Sequence, residues 1–244
     1  MSRIALISDI HGNIDALEAV LADIETFQID TIACLGDIIG YGSEPRKCLE
    51  LIQERCSPIV MGNHEVFAIF PIDPAELGGA AGRGIEHARE QLSEEQLDWI
   101  ARLPLVEELA GATLVHASLD EPGDFNHLLK LRQAKRHFEE QETPLCFNGH
   151  THQPIIIEKV GRYIESCKPH DGFIGLNPAN PHLVNVGSVG QPRDEDPRAC
   201  YVIYDTEMHA VSFERVEYDI KKAQQRFEEA KMHPSVIKRI AKGL

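Results

Sequence analysis

The sequence predicts an α/β protein, and three observations carry that prediction. Short apolar runs alternate with amphipathic helical stretches along the first third of the chain. Nearly every apolar run ends abruptly in a cluster of Gly, Asp, Asn or His. No apolar stretch approaches the ~20 residues of a membrane span.

Ile4 to Ser8 reads as a buried strand that stops at Asp9. Asn13 can cap a helix over about 14–26, whose stripe is Ile14, Leu17, Val20, Leu21 and Ile24. Thr31 to Leu35 is a second strand, ending in Gly36-Asp37, and Leu49 to Arg55 is helical. Pro58 to Met61 reads as a third strand, ending in Gly62-Asn63-His64-Glu65.

From about 67 to 104 the pattern turns helical, with Pro71 and Pro74 as breaks and Ser93-Glu94-Glu95-Gln96 as a capping box. A small lid-like helical insertion is expected there. Leu105 to Leu109 and Ala112 to His116 form a hairpin about Ala110-Gly111. A polar helix is expected over 126–140, then a strand from Leu145 to Asn148 that ends at Gly149-His150-Thr151-His152. A hairpin flanks Gly161, and 168–181, rich in Gly, Pro and Asn, reads as a loop. Strands follow at Val184–Val186, Tyr201–Tyr204 and Val211–Val216, and charged helices fill about 219–242. No repeat or low-complexity linker divides the chain, so one domain over 1–244 is the economical reading.

Lys plus Arg is 24 and Asp plus Glu is 39, a formal charge of −15. A chain this acidic lacks the broad phosphate-neutralising surface of a binder of long nucleic acid or of an anionic membrane. Bound metal can still create a local cationic pocket. The start, MSRIALISDIHGN, has Arg3 as its one basic residue and no signal-peptide pattern, so a cytoplasmic location is expected. The six cysteines show no CxxC pair, and free thiols are the expectation.

The chemistry sits at strand ends: Asp9-x-His11, Gly36-Asp37, Gly62-Asn63-His64-Glu65, His116, and Gly149-His150-x-His152. Ligands of α/β sheets gather beyond the carboxyl ends of the strands, so these groups can converge. Each piece alone has a structural reading. A Gly-Asp is a turn, Gly-Asn-His-Glu caps a helix, and a single His sits satisfied in a core. As an ordered set of carboxylates, imidazoles and an amide they suit a divalent Mn, Fe, Ni, Co or Zn. The absence of Cys argues against a structural zinc knuckle.

This series resembles the calcineurin-like metallophosphoesterase superfamily. The motifs run from Asp9 to His152, and the later stretch from Asn185 to Asp194 resembles its bacterial predicted-phosphodiesterase branch. The resemblance implies two mixed β-sheets packed face to face with helices outside. It implies two metal ions: the first on Asp9, His11 and His152, the second on Asn63, His116 and His150, with Asp37 bridging. His64 would face the substrate as general acid, and Glu65 would hold the His64 ring. Two ions bring +4 and the two aspartates return −2, which leaves charge to attract phosphate. A hydroxide between the metals would attack phosphorus in line.

Outside that set, Asn13 is either a helix cap or a phosphate contact. Arg193 is either a phosphate clamp or the ion-pair partner of Asp194, Glu195 or Asp196. Tyr41, Phe125 and Trp99 could stack on a base, with core or surface roles as the alternative. The remaining seven of the 12 histidines, His87, His127 and His182 among them, match no pattern; surface or structural roles are expected for them, with His127 or His182 the two that could reach the cleft. The Arg-Gly pair that protein Ser/Thr phosphatases carry after the second aspartate motif is missing from Gly36 to Gly42, which counts against that activity.

The expected function is hydrolysis of a phosphodiester or phosphoanhydride in a small nucleotide-like substrate. A phosphomonoesterase is the rival enzyme, and a metal-bearing scaffold the rival outside catalysis. For quaternary state, a symmetric homodimer is the base-rate expectation.

Overall fold

Successive residues of the first strand, Arg3–Ile7 (β1), are buried on opposite faces: Ile4 and Leu6 on one side, Ala5 and Ile7 on the other. A strand apolar on both faces must lie inside a layered structure. The computed structural model, which describes residues 2–244, supplies those layers.

In chain order the elements are β1, α1 (Ile14–Ile24), β2 (Thr31–Cys34), α2 (Pro45–Arg55), α3 (Asn63–Ile69), α4 (Gly79–Gln91), α5 (Glu94–Ile100), β3 (Val106–Leu109), β4 (Ala112–Val115), α6 (Leu131–Glu140), β5 (Leu145–Asn148), β6 (Ile155–Val160), β7 (Tyr163–Cys167), β8 (Ile174–Gly175), β9 (His182–Asn185), β10 (Ala199–Asp205), β11 (Ala210–Val216), α7 (Ile220–Glu229) and α8 (Pro234–Ile240). One sheet runs β2-β1-β10-β11-β8 and the other β3-β4-β5-β9-β6-β7. Both are mixed: β1 and β2 are parallel, as are β4, β5 and β9, and the other neighbours pair antiparallel.

The sheets pack face to face. Ile4, Leu6, Val202 and Tyr204 of the first meet Leu114, Phe147 and Val184 of the second. Behind the first sheet, Ile7, Tyr201 and Ile203 pack on Leu17 and Val20 of α1 and Leu49 and Ile52 of α2. Behind the second, Val115, Cys146 and Leu183 pack on Ala134 and Phe138 of α6. The order is helices, sheet, sheet, helix. All six cysteines are free thiols, Cys167 alone exposed.

The segment expected as a lid-like insertion packs into the helix layer. Ala68, Ala88, Leu92 and Ile100 share one apolar cluster with α1 and α2. Arg89 of α4 fastens it, donating to the carbonyls of Phe67, Ala68, Phe70 and Ile72 at the carboxyl end of α3. The terminal pair α7–α8 closes on α1 through buried Asp15, which takes Lys222 Nζ at 2.7 Å and Arg226 Nε at 3.1 Å.

Three expectations are corrected. The run from Pro58 to Met61 makes one parallel bridge, Cys34 to Ile59, and no strand: Pro58 has no N–H to extend a ladder. The helix expected from residue 126 starts at Leu131, after the Gln133 side chain takes the Lys130 N–H at 2.8 Å. Residues 126–130 are a loop instead. The 168–181 loop contains the two-residue strand β8.

Candidate metal centre

The parallel pairings decide where the chemistry lies. β1 and β2 end in register at Ile7 and Cys34, and β5 and β9 at Asn148 and Asn185, so their following turns leave the same edge of the sandwich. Asp9 and His11 follow β1, Asp37 follows β2, His116 follows β4, and His150 and His152 follow β5. Asn63 and His64 open α3. The turn after β9 is tied to the first: Val189 N–H donates to Ser8 O, and Gly190 N–H and Ser188 Oγ donate to Asp9 O.

These turns are strained. Asp9, His11, Asp37, His150 and His152 all take left-handed backbone, with φ between 49° and 66°. Such conformations cost non-glycine residues ~1–3 kcal/mol each and persist where the surroundings enforce them. Two glycines permit the close approach. A Cβ on Gly62 would strike the Asp37 carboxylate, and one on Gly149 would strike Ser8 and Asp9.

All the charged members are buried. Asp9 Oδ1 lies 3.3 Å from His152 Nε2 and 3.7 Å from His11 Nε2. Those two nitrogens are 3.2 Å apart. On the other side, Asp37 Oδ2 lies 3.4 Å from His116 Nε2, which is 3.2 Å from His150 Nδ1. The same Asp37 oxygen is 3.6 Å from His11 Nε2 and 4.0 Å from His64 Nε2. The Asp9 and His150 turns are joined, since Asp9 Oδ2 accepts the His150 N–H at 2.9 Å.

The donor set fits divalent cations. His11, His116 and His152 each point Nδ1 at a backbone carbonyl, of Ile39, Leu35 and Gln191, at 3.2, 2.7 and 2.6 Å. A carbonyl only accepts, so each Nδ1 carries a proton; His11 and His152, kept neutral by burial, turn an Nε2 lone pair inward, and His116 would do the same on losing its second proton when a cation binds. Two lone pairs 3.2 Å apart, as on His11 and His152, need a cation between them. Asp9 Oδ1 and Asn63 Oδ1 are buried with no hydrogen-bond partner, which an ion would also relieve. Oxygen and imidazole donors without thiolate match borderline or hard divalent metals.

The electrostatics show the same tension. Burial, reinforced by Asp37, pushes the Asp9 carboxyl up to about 7. Burial drives His11 and His152 well below the ordinary imidazole value, with His64 and Arg193 respectively adding to the push. Burial also works against charge on Asp37 and His116, but their mutual attraction wins: Asp37 is held well below the carboxylate range and His116 rises to about 10.

Asn13 is a cap. Its Oδ1 accepts the Ala16 N–H, and its amide donates to Gly190 O and Tyr218 Oη, so its place among phosphate-binding candidates is withdrawn. Glu65 is corrected too. It makes no hydrogen bond to the His64 ring, whose Nδ1 has no partner. Its carboxylate accepts the backbone N–H groups of Asp37, Ile38, Ile39 and Gly62 at 2.7–3.2 Å. Burial and Asp37 push it up to about 7 while the backbone donors pull back.

Arg193 is free of the acidic partners considered for it. Arg215 takes Asp194 and Arg198 takes Asp196. The Arg193 guanidinium donates to Gln191 Oε1 at 2.7 Å, stands 5.9 Å from the Tyr41 ring, and leaves a buried Nε unpartnered. It also lines a cavity of about 560 Å³ beside Thr151 and Gln153, the neighbours of the two loop histidines. Tyr41 packs against His64 and His11, with centroids 4.6 and 4.7 Å away, and Phe125 lies 5.9 Å from His116. Trp99 packs on the helix-layer core, and His182, at the amino end of β9, binds Asn180 O away from the site. His87 binds Ser43 O. Of the two unmatched histidines that could reach the cleft, His127 does: its Nδ1 lies 3.2 Å from His150 Nε2. It stands in an irregular loop with no periodicity to flag it.

Comparison with known proteins shows the family. A bis(5'-nucleosyl)-tetraphosphatase, symmetrical, of Vibrio cholerae is 26% identical over 141 residues, 55% of this chain, which spans 50% of that relative's length. An uncharacterized protein of Methanocaldococcus jannaschii is 37% identical over 231 residues, 92% of this chain and 91% of its own. The crystal structure of a metallophosphoesterase from Sphaerobacter thermophilus superposes with a TM-score of 0.89 at 37% identity, covering 100% of this chain and 99% of that one. The family model of the calcineurin-like phosphoesterase superfamily domain matches residues 2–209. With that match covering every strand but β11 and every strand-end turn described above, the chain belongs to the calcineurin-like phosphoesterase superfamily.

Proposed function

We propose that the chain is a two-metal phosphoesterase that hydrolyses a phosphodiester or phosphoanhydride bond in a small nucleotide-like substrate. The observation that carries this reading is the position of Asp37 Oδ2, 3.6 Å from His11 Nε2 on one side and 3.4 Å from His116 Nε2 on the other. One carboxylate oxygen reached from two clusters is what a bridging ligand requires. Asp9, His11 and His152 would hold one ion, and Asn63, His116 and His150 the second.

Two divalent ions held this way supply a water of near-neutral pKa and charge to bind phosphate. The protein does the rest. Carbonyls of Ile39, Leu35 and Gln191 fix three imidazoles as neutral donors. Asp9 and Asp37 leave the site net cationic once loaded, so it favours an anionic ester. Arg193, without a carboxylate partner, lies beside the cleft to clamp a phosphate oxygen. His64, at the amino end of α3, is placed to give a proton to the leaving oxygen. Burial pushes its imidazole down, and a phosphate brought alongside opposes that push. The nucleotide preference is supported by the tetraphosphatases among the relatives, though these match over about half the chain.

The test is turnover by metal-stripped protein reloaded with Mn²⁺. The substrates are a chromogenic diester, a chromogenic monoester and a dinucleoside tetraphosphate. Diester or dinucleotide hydrolysis that returns only with metal is expected, and His64→Ala should lower it by ~10²–10⁴ with both ions retained. A fully active His64→Ala removes the acid role. Absence of turnover by fully loaded protein points to a binding module.

A further inference from the structure

We propose that His127 is a positioning residue for His150: it selects the tautomer of His150 that presents Nδ1 to a metal ion. The inference rests on the reading of His150 as a metal ligand. Three rings form a chain. His116 Nε2 lies 3.2 Å from His150 Nδ1, and His150 Nε2 lies 3.2 Å from His127 Nδ1. The His127 and His150 ring centroids are 4.1 Å apart.

Neutral imidazoles can satisfy this chain in two ways. A neutral His116, the form that binds a metal ion, donates Nδ1–H to Leu35 O, so its Nε2 is an acceptor. In one arrangement His127 donates Nδ1–H to His150 Nε2, and His150 donates Nδ1–H to His116. The nitrogen that faces the centre is then blocked by a proton. In the other, His150 donates Nε2–H to His127 Nδ1 and its own Nδ1 lone pair is free. The second arrangement alone can coordinate. Moving between them shifts one proton within each of two neutral rings, with no net uptake or release.

His11, His116 and His152 have their tautomers fixed by backbone carbonyls, which accept and never donate. His150 is the exception, since its outer nitrogen meets another imidazole, which can do either. The coordinating tautomer of His150 therefore depends on His127 acting as acceptor through Nδ1. His127 is exposed, so in the coordinating arrangement its Nε2–H is satisfied by water. The loop that carries it is anchored on both sides: Phe125 is buried beside His116, and Leu128 packs on the cluster behind the second sheet.

The experiment measures Zn²⁺ binding to the full chain by competition with a chromophoric chelator, on wild type, His127→Ala and His127→Asn. Asn places Oδ1, an obligate acceptor, near the position of Nδ1. His127→Ala should weaken one of the two Zn²⁺ sites by ~10–100-fold and leave the other unchanged. His127→Asn should bind within a few-fold of wild type. In ¹H–¹⁵N spectra of the Zn²⁺-loaded protein, the His150 Nε2–H signal should persist in wild type and His127→Asn and be lost to exchange in His127→Ala. Equal affinities at both sites in wild type and His127→Ala, or failure of Asn to restore what Ala loses, overturns the proposal while the metal centre stands. A wild type that binds no Zn²⁺ overturns the ligand reading of His150 itself, and the proposal with it.

Discussion

Glu65 and Asp37 lock each other's turns. Glu65 Oε2 accepts the Asp37 N–H at 2.7 Å, and Asp37 Oδ1 accepts the N–H of His64, next to Glu65, at 2.9 Å. The buried Glu65 carboxylate takes three further N–H groups, of Ile38, Ile39 and Gly62. It holds Asp37 in left-handed backbone, with Oδ2 between the two histidine clusters.

Glu65→Gln should therefore be costly despite its small change in shape. Each oxygen serves two N–H groups, so an amide nitrogen in place of either leaves two buried donors unsatisfied. At ~1–3 kcal/mol per donor, a loss on the order of 3 kcal/mol is expected in chemical denaturation of the metal-free protein. Metal affinity should fall as well, because Asp37 loses its anchor. Unchanged stability of metal-free Glu65→Gln would show that these hydrogen bonds carry no net weight.

Asp37→Asn should release both ions together. The amide can keep an oxygen toward the His64 N–H, so the α3 turn is preserved while the shared negative charge is lost. Elemental analysis after gel filtration should find neither site filled, with the helical circular dichroism of wild type. One ion at full occupancy would show that Asp37 serves a single site.

Much of this was legible in the chain itself. Short runs such as Ile4-Ala5-Leu6-Ile7, apolar at every position, announce a strand covered on both faces. Polar clusters right after such runs announce a site at the carboxyl edge. What stayed hidden depends on contacts between distant residues. The Glu65 acceptor role joins residues 26–28 apart through backbone N–H groups, which no side-chain pattern encodes. His127 reaches His150 from an irregular loop read as helix, and Pro58 looked like strand because apolar content outweighed its missing N–H. Asn13 had a cap and a phosphate contact open to it. Only the positions of Gly190 and Tyr218 show that its amide protons are already used.

The helix behind the second sheet makes stability sensitive to acid. His137 of α6 is fully buried; its Nδ1 accepts the Leu119 N–H at 3.1 Å, and its Nε2 has no partner. Burial lowers its pKa from 6.5 to about 4. The folded state thus resists a proton that the unfolded chain accepts. The resulting destabilisation is absent above pH 6.5 and grows as pH falls, reaching about 3 kcal/mol near pH 4 at ~1.4 kcal/mol per pH unit. His137→Asn keeps an oxygen for Leu119 and does not titrate. Its free energy of unfolding should be lower than that of wild type at pH 7, through the smaller side chain. Its fall between pH 7 and pH 4 should be shallower than that of wild type by about that amount, with acid effects at the metal centre common to both. Parallel pH profiles for the two proteins would mean that His137 takes up its proton as readily folded as unfolded.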